Sequence, residues 1–368
     1  MQIKVDRIGI IHNLYSMIKR KKTRKVWVGK VPIGGGSPIS VQSMTKTDTR
    51  DVSATVKQIK RLQDVGCEII RVAVPDMEAA LALPKIKKGI KIPLVADIHF
   101  DYKLALKAID AGVDKLRINP GNIGAEWKVK EIVKAAKERK IPIRVGVNAG
   151  SLPRDILAKY KKTSPPALVQ AALRQVRILE NLDFTDIVIS LKAFDVPMTV
   201  EAYRLVSKKT NYPLHLGITE AGLPLLGSVR SALGIGLLLA EGIGDTIRVS
   251  LTGDPMEEVR VGYEILKSLN LREHGPTIIS CPTCGRCEID LISLTQKVEQ
   301  KLKNVHAPLK IAVMGCVVNG PGEARDADLG IAGGKGYGLL FRKGKEIGKV
   351  KEKDLVKALM EIVHDLTG

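Results

Sequence analysis

A (β/α)8 TIM-type barrel followed by a small α+β domain is the fold class predicted by three observations. Short β-branched runs alternate with helical stretches eight times over about 230 residues, the size of such a barrel. Almost every strand candidate ends on polar or charged residues, where barrels place their sites. The alternation then stops at Gly275-Pro276, and a different pattern carrying four of the five cysteines follows.

Residues 1–25 read as a basic extension, with Lys19-Arg-Lys-Lys-Thr-Arg-Lys25 at its end and no cleavage-site pattern after an apolar core. Residues 1–22 are expected to be dispensable for turnover. Val26–Ile33 and Pro38–Gln42 flank Gly34-Gly-Gly36 and read as a hairpin leading into a strand. The barrel is expected over residues 26–271. Its strand candidates are Ile39–Met44, Ile69–Val74, Leu94–Ile98, Lys115–Ile118, Ile143–Val147, Asp186–Leu191, Leu214–Ile218 and Thr246–Leu251. Helices fall between them, from Asp51–Val65 to Pro255–Leu269. A doubly wound sheet is the alternative, but no G-x-G-x-x-G follows an early strand. The second domain is expected over residues 276–368: strand, cysteine turn, helix Leu291–Leu302, strand Lys310–Met314, two further strands and a last helix. Gly333-Gly-Lys-Gly-Tyr-Gly338 lacks the Lys-Ser/Thr ending of a phosphate loop and reads as a hairpin turn.

The net charge of +20 is uneven. Residues 1–30 hold nine Lys/Arg against one Asp, and residues 276–368 hold fourteen against eleven Asp/Glu. With 4% aromatic residues, stacking platforms for bases are scarce, so an anionic substrate or an acidic partner fits better than nucleic acid. No run approaches the ~18 apolar residues of a membrane span. A cytoplasmic location is expected, where clustered thiols more often mean metal than disulfide.

The strand ends carry the chemistry. Leu116-Arg-Ile-Asn119, Ile143-Arg-Val-Gly-Val-Asn148 and Ile247-Arg-Val-Ser250 put their polar residues on one strand face, which points inward in a closed barrel. Burying Arg71, Arg117, Arg144 and Arg248, with Lys192 beside them, makes sense around an anion such as phosphate or diphosphate. Part of the set is expected to pair internally, Arg71 or Arg248 with Asp97 or Glu220. His99 stands at another strand end.

Cys281-Pro-Thr-Cys284-Gly-Arg-Cys287 has metal-ligand spacing, and Cys316 lies in Gly315-Cys-Val-Val-Asn-Gly-Pro-Gly-Glu323, with 28 residues between it and Cys287. Spacing alone leaves three readings open: a four-thiolate zinc site, a four-cysteine iron–sulfur cluster, or three cysteines with Glu323. Cys67 reads as a buried small apolar residue.

Cys281-Pro-Thr-Cys-Gly-Arg286, Gly315–Ala324, Ala96-Asp-Ile-His-Phe-Asp101, Leu116–Gly124, Gly146-Val-Asn-Ala-Gly-Ser151 and Leu214–Gly222 resemble the 4-hydroxy-3-methylbut-2-enyl diphosphate synthase family of the non-mevalonate isoprenoid pathway. The resemblance runs from about Arg24 to the last helix. It implies reductive ring opening and dehydration of 2-C-methyl-D-erythritol 2,4-cyclodiphosphate. It also implies a [4Fe-4S] cluster on Cys281, Cys284, Cys316 and Glu323, with Cys287 a bystander. Arg71, Arg117, Asn119, Arg144, Asn148, Lys192, Arg248 and Ser250 would bind substrate, and Glu220 or His99 would handle protons. Glu323 would be the ligand a substrate could displace. Ferredoxin or flavodoxin would deliver electrons, and a head-to-tail homodimer would bring one subunit's barrel to the other's cluster.

Overall fold

The computed structural model describes residues 18–303, 305–317, 322 and 325–367. They form two compact units, divided between Arg272 and Glu273.

The first unit opens with a hairpin, β1 (Val26–Val28) and β2 (Val31–Ile33). Its turn lies at Gly29-Lys30, where Gly29 has φ +55°, and not at Gly34–Gly36 as the sequence suggested. Three consecutive glycines favour a loop as readily as a hairpin, and here they carry the chain with positive φ toward the barrel. Val28 and Ile33 pack against Ile69 and Val95, so the hairpin supplies an apolar plug beneath the barrel interior.

Eight parallel strands follow: β3 (Ser40–Met44), β4 (Ile69–Ala73), β5 (Leu94–Asp97), β6 (Lys115–Ile118), β7 (Ile143–Asn148), β8 (Ile187–Lys192), β9 (His215–Leu216) and β10 (Thr246–Ile247). Their spatial order is β8-β7-β6-β5-β4-β3-β10-β9, and a parallel bridge from Ile189 to Leu214 links β8 to β9. The ring is therefore nearly closed, as the sequence predicts. β9 and β10 are much shorter than expected, because Gly217 and the turns after them end the pairing early. Five of the intervening helices begin on side-chain caps: Asp51, Asp76, Asp101, Asp195 and Asp254 each accept a bond from a first-turn amide. The helix Pro224–Ala240 starts five residues before its expected onset, on an initial proline that needs no amide partner.

The basic start is partly integral to this unit. Arg20 donates to Ser37 O at 2.5 Å and lies 3.3 Å from Asp245 Oδ1. Thr23 donates to Asp245 at 2.9 Å, and Lys21 to Thr210 O at 2.7 Å. The expectation that residues 1–22 can be dispensed with has to contend with these bonds.

The second unit is a five-stranded sheet in the order β11 (Thr277–Ser280), β12 (Lys310–Met314), β13 (Leu329–Gly334), β14 (Tyr337–Arg342) and β15 (Lys345–Lys351). Helices Leu291–Leu302 and Leu355–Thr367 pack on it through Leu294, Val298, Leu359 and Val363. Lys335-Gly336 is the β13–β14 turn, so the glycine-rich run is a hairpin. β15 was not expected: its lysines alternate on an exposed edge strand, a pattern that protects the edge without a strong strand signature.

Candidate active site

Inside the barrel the strand alternation turns six cations inward: Arg71, Lys115, Arg117, Arg144, Lys192 and Arg248. Lys115 and Arg144 are fully buried, and Arg117 and Lys192 nearly so. Two carboxylates answer them. Asp97, at the end of β5, lies 3.2 Å from Arg117 Nη1 and 3.6 Å from Arg71 Nε. Glu258, from the helix Pro255–Ser268, lies 3.7 Å from Arg248 and 3.2 Å from Lys46. Glu258 also accepts from Ser43 Oγ at 3.2 Å and the Leu251 amide at 3.0 Å.

Two glycines make room for this chemistry. A Cβ at Gly146 would lie 2.9 Å from Arg117 Nε, and one at Gly217 would lie 2.6 Å from Lys192 Nζ. Arg117 also donates to Gly146 O at 3.3 Å, while the Gly146 amide donates to Asn119 Oδ1 at 3.0 Å. Several buried donors lack a partner among the described residues: Arg144 Nε and Nη1, Lys192 Nζ, Arg117 Nε and Arg248 Nε. Unpartnered buried donors at this density point to an absent acceptor, which an anion supplies.

The electrostatics agree. Burial, then Arg248, Arg144 and Arg71, push the Lys192 ammonium well below the usual lysine range. Burial pushes the Asp97 carboxyl up, but Arg71, Arg117 and Arg144 outweigh it and hold it below the ordinary carboxylate range. Asp97 is thus a fixed anion that organises the arginines. His99 is half exposed, with Nδ1 3.1 Å from Arg117 Nη1. Burial lowers its imidazole, and Asp97 only partly offsets this. Because arginine can only donate, the facing ring nitrogen is an acceptor.

The expected site residues do not all converge. Arg71, Arg117, Arg144, Lys192 and Arg248 act on one another electrostatically, and Asp97 and His99 join them. Asn148 and Ser250 stand at or near their strand ends, partly exposed. Glu220 is exposed, in a left-handed backbone conformation with φ +56°. It pairs with neither Arg71 nor Arg248; Asp97 and Glu258 take those places. Glu258 was missed, although it falls on the buried face of its helix with Pro255, Gly262 and Ile265, where an acid is out of place. Lys115 was missed too, although the period-two face of Arg117 and Asn119 includes it.

In the second unit β11 and β12 run parallel with Ser280 opposite Val313. Cys281 and Gly315-Cys316 therefore leave adjacent strands at the same end of the sheet. The Gly315 amide lies 3.3 Å from Cys281 Sγ. A tight turn follows Cys281: Thr283 has φ +59°, and the Cys287 amide donates to Cys284 O at 2.9 Å. Cys284 is exposed, and the Arg286 amide, then its guanidinium, hold its thiol below the usual range. Cys287 lies against Gly315 in the same corner. Its thiol donates to Ile289 O at 3.2 Å, and its sulfur fills the space a Cβ at Gly315 would need. Glu323 lies outside the described residues. Among the described residues no three His, Cys, Asp or Glu side chains are gathered closely enough to hold a metal ion. The donor set itself, soft thiols at two adjacent strand ends with a backbone amide aimed at one sulfur, suits a thiolate-held iron–sulfur group. Cys67 is buried, and burial pushes its thiol up to about 12, as expected of an inert residue.

Fold and site together define a barrel enzyme with a cationic interior, joined to a cysteine-bearing sheet domain. The chain belongs to the GcpE family: residues 23–263 match the GcpE TIM-barrel domain, and residues 277–365 match the GcpE protein C-terminal domain. It is 63% identical over 348 residues to 4-hydroxy-3-methylbut-2-en-1-yl diphosphate synthase (flavodoxin) from Thermodesulfovibrio yellowstonii, covering 95% of this chain and 100% of that protein. The Clostridium perfringens protein of the same name is 62% identical over 349 residues, with the same coverage. That of Geobacter sulfurreducens is 60% identical, covering 94% of this chain and 98% of that protein.

Proposed function

We propose that this chain is a 4-hydroxy-3-methylbut-2-enyl diphosphate synthase, an iron–sulfur oxidoreductase acting on 2-C-methyl-D-erythritol 2,4-cyclodiphosphate. The observation that carries the reading is the barrel interior, where six inward cations meet two carboxylates and leave buried donors without acceptors. A cyclic diphosphate supplies those acceptors.

In the reaction two electrons enter, the C2–O bond to phosphate breaks, and the C3 hydroxyl leaves as water, creating the C2=C3 double bond. Arg71, Arg117, Arg144, Lys192 and Arg248 hold the diphosphate, with Asn119, Asn148 and Ser250 fixing its orientation. The departing hydroxyl needs a proton. His99 is engaged by Arg117 and Asp97 and lowered in basicity, so it positions Arg117. The proton then falls to Glu220, which is free of such engagement among the described residues and sits in a strained backbone, a common mark of functional positions.

Cys281, Cys284 and Cys316, with Glu323 as fourth ligand, would hold the [4Fe-4S] cluster, which supplies single electrons when bound. Cys287, whose thiol donates to Ile289 O, is read as a bystander. Between ferredoxin and flavodoxin as donor, relatives whose names specify flavodoxin support flavodoxin. The charge of +20 favours an acidic donor of that kind.

The active form is a homodimer, head to tail, in which one subunit's barrel works with the other's cluster. Leu223, Leu226, Val229, Leu233 and Leu237 make an exposed apolar stripe along helix Pro224–Ala240, with Leu226 57% and Leu233 54% exposed. A surface of this kind calls for a partner. No helix among the described residues is long and apolar enough to cross a membrane, and the free thiols fit a reducing cytoplasm. Anaerobic turnover of the cyclodiphosphate with a chemical reductant, with the product identified, tests the reading. The expected product is 4-hydroxy-3-methylbut-2-enyl diphosphate from a brown protein. A colourless, zinc-containing protein that binds the substrate without converting it would sink it.

A further inference from the structure

We propose that Lys115 is a further substrate-affinity residue, a buried ammonium beneath the barrel mouth whose charge is completed by the bound anion and not by a carboxylate of the chain. The inference rests on the reading of the barrel as a diphosphate site and deepens it.

Lys115 is fully buried on β6, two residues before Arg117 on the same inward face. Its Nζ meets one neutral acceptor, Gln42 Oε1, at 3.4 Å. Both carboxylates that reach the interior are engaged above it: Asp97 by Arg71 and Arg117, and Glu258 by Lys46, Arg248, Ser43 and the Leu251 amide. Beside it lie more polar atoms without partners among the described residues: Gln42 Nε2, Arg144 Nε and Nη1, and both ring nitrogens of His215. The interior is thus graded. Val28, Ile33, Ile69 and Val95 close the bottom, Lys115 and Gln42 stand on the inward strand faces with Arg144 and His215, and the paired arginines line the mouth.

A buried lysine placed for stability would have a carboxylate, and a leucine or methionine in its place would serve the fold better. Retaining an ammonium there makes sense if its potential acts on something that arrives. The charged and titratable groups of the barrel interior are Arg71 from β4, Asp97 from β5, Arg117 on its own strand, Arg144 from β7, Lys192 from β8, His215 from β9, and Arg248 with Glu258 on the β10 side; of these Arg144 and Arg71 act on Lys115, Lys115 acts on His215, and Gln42 of β3 is its neutral partner. Burial, then Arg144 and Arg71, press the Lys115 ammonium well below the usual lysine range. His215 is lowered by burial and by the same cations, so it stays neutral. An arriving diphosphate reverses the local sign and raises Lys115 again. Binding therefore takes up a proton, and affinity falls as pH rises through the lysine value of the complex.

The test is calorimetric binding of the cyclodiphosphate to the anaerobic full-length protein at pH 8, in two buffers of different ionisation heat. Wild type should bind with net proton uptake. Lys115→Met should bind at least about tenfold more weakly and take up measurably fewer protons than wild type. Its anion-free melting temperature should be unchanged or higher, since a buried amine without a carboxylate partner is gone. If Lys115→Met fails to fold, Lys115→Gln answers the same question. Wild-type affinity and wild-type uptake in a folded variant would overturn the inference while leaving the functional reading intact. Failure of wild type to bind would overturn that reading and this inference with it.

Discussion

At the barrel mouth every cation stands on or just beyond a strand of the ring, and each is fixed by its strand, by a glycine that makes room, or by Asp97 or Glu258. At the cysteine corner the parallel register of β11 and β12 fixes where two segments leave the sheet, and a tight turn and a loop do the rest. The barrel is preorganised for its ligand before the ligand arrives; the corner holds thiols near one another and leaves their final arrangement to the group they bind. Losses should therefore differ in kind. Damage to the corner should remove the cofactor, and damage to the mouth should remove affinity or rate while the cofactor stays.

The largest expected effect is at the corner. Cys316→Ala should lose the absorbance near 400 nm and drop turnover below about 1% of wild type, because a lost thiolate outweighs any loss in the surrounding hydrogen bonds. Cys287→Ala should keep the cluster and most of the activity, as expected of a thiol bonded to Ile289 O. Loss of the cluster in Cys287→Ala would instead make the site a four-cysteine one. Next comes the proton. Glu220→Gln should lower kcat by roughly 100-fold or more with KM little changed, whereas His99→Asn should raise KM more than it lowers kcat. The reverse split would exchange the two roles.

In the barrel interior, Arg144→Met should lower kcat/KM about 100-fold, equivalent to about 3 kcal/mol, with an unchanged cluster spectrum. A bleached Arg144→Met would mean that the two regions are not separable in this way. The smallest effect is on stability. Arg20→Ala should cost about 1 kcal/mol, read as a melting temperature lower by about 2–4 °C, while turnover below that temperature is kept. An unchanged melting temperature would return residues 1–22 to the status of a dispensable extension.

The same contrast governs what the sequence reveals. The barrel was legible because strand periodicity and inward facing are local properties, so Arg117, Asn119 and Arg144 announce themselves as one face. The internal partners were not. Glu258 reaches the mouth from a helix more than 200 residues after Ser43, and only the closed ring shows that it, and not Glu220, answers Arg248. Lys115 followed the legible pattern but lay too deep to read as a strand end. At the corner the spacing of Cys281, Cys284, Cys287 and Cys316 was plain, yet spacing could not distinguish a ligand from a bystander. The contact of the Cys287 thiol with Ile289 O favours the bystander reading, and the Cys287→Ala variant decides it. The turn at Gly29, the early start of helix Pro224–Ala240 and edge strand β15 escaped notice because glycine runs, helix-initial prolines and lysine-rich strands permit several local structures.

On the proposed reading neither region is a site alone, and the barrel of one copy works with the cysteine corner of another. The most direct test uses a heterodimer of two differently tagged chains, one carrying Arg144→Met and the other Cys316→Ala, purified through both tags. Each parent homodimer is expected to be nearly inactive, while the heterodimer keeps one intact barrel facing one intact corner and should turn over at about half the wild-type rate per dimer. A heterodimer as inactive as its parents would contradict the account and place each barrel with the cysteines of its own chain.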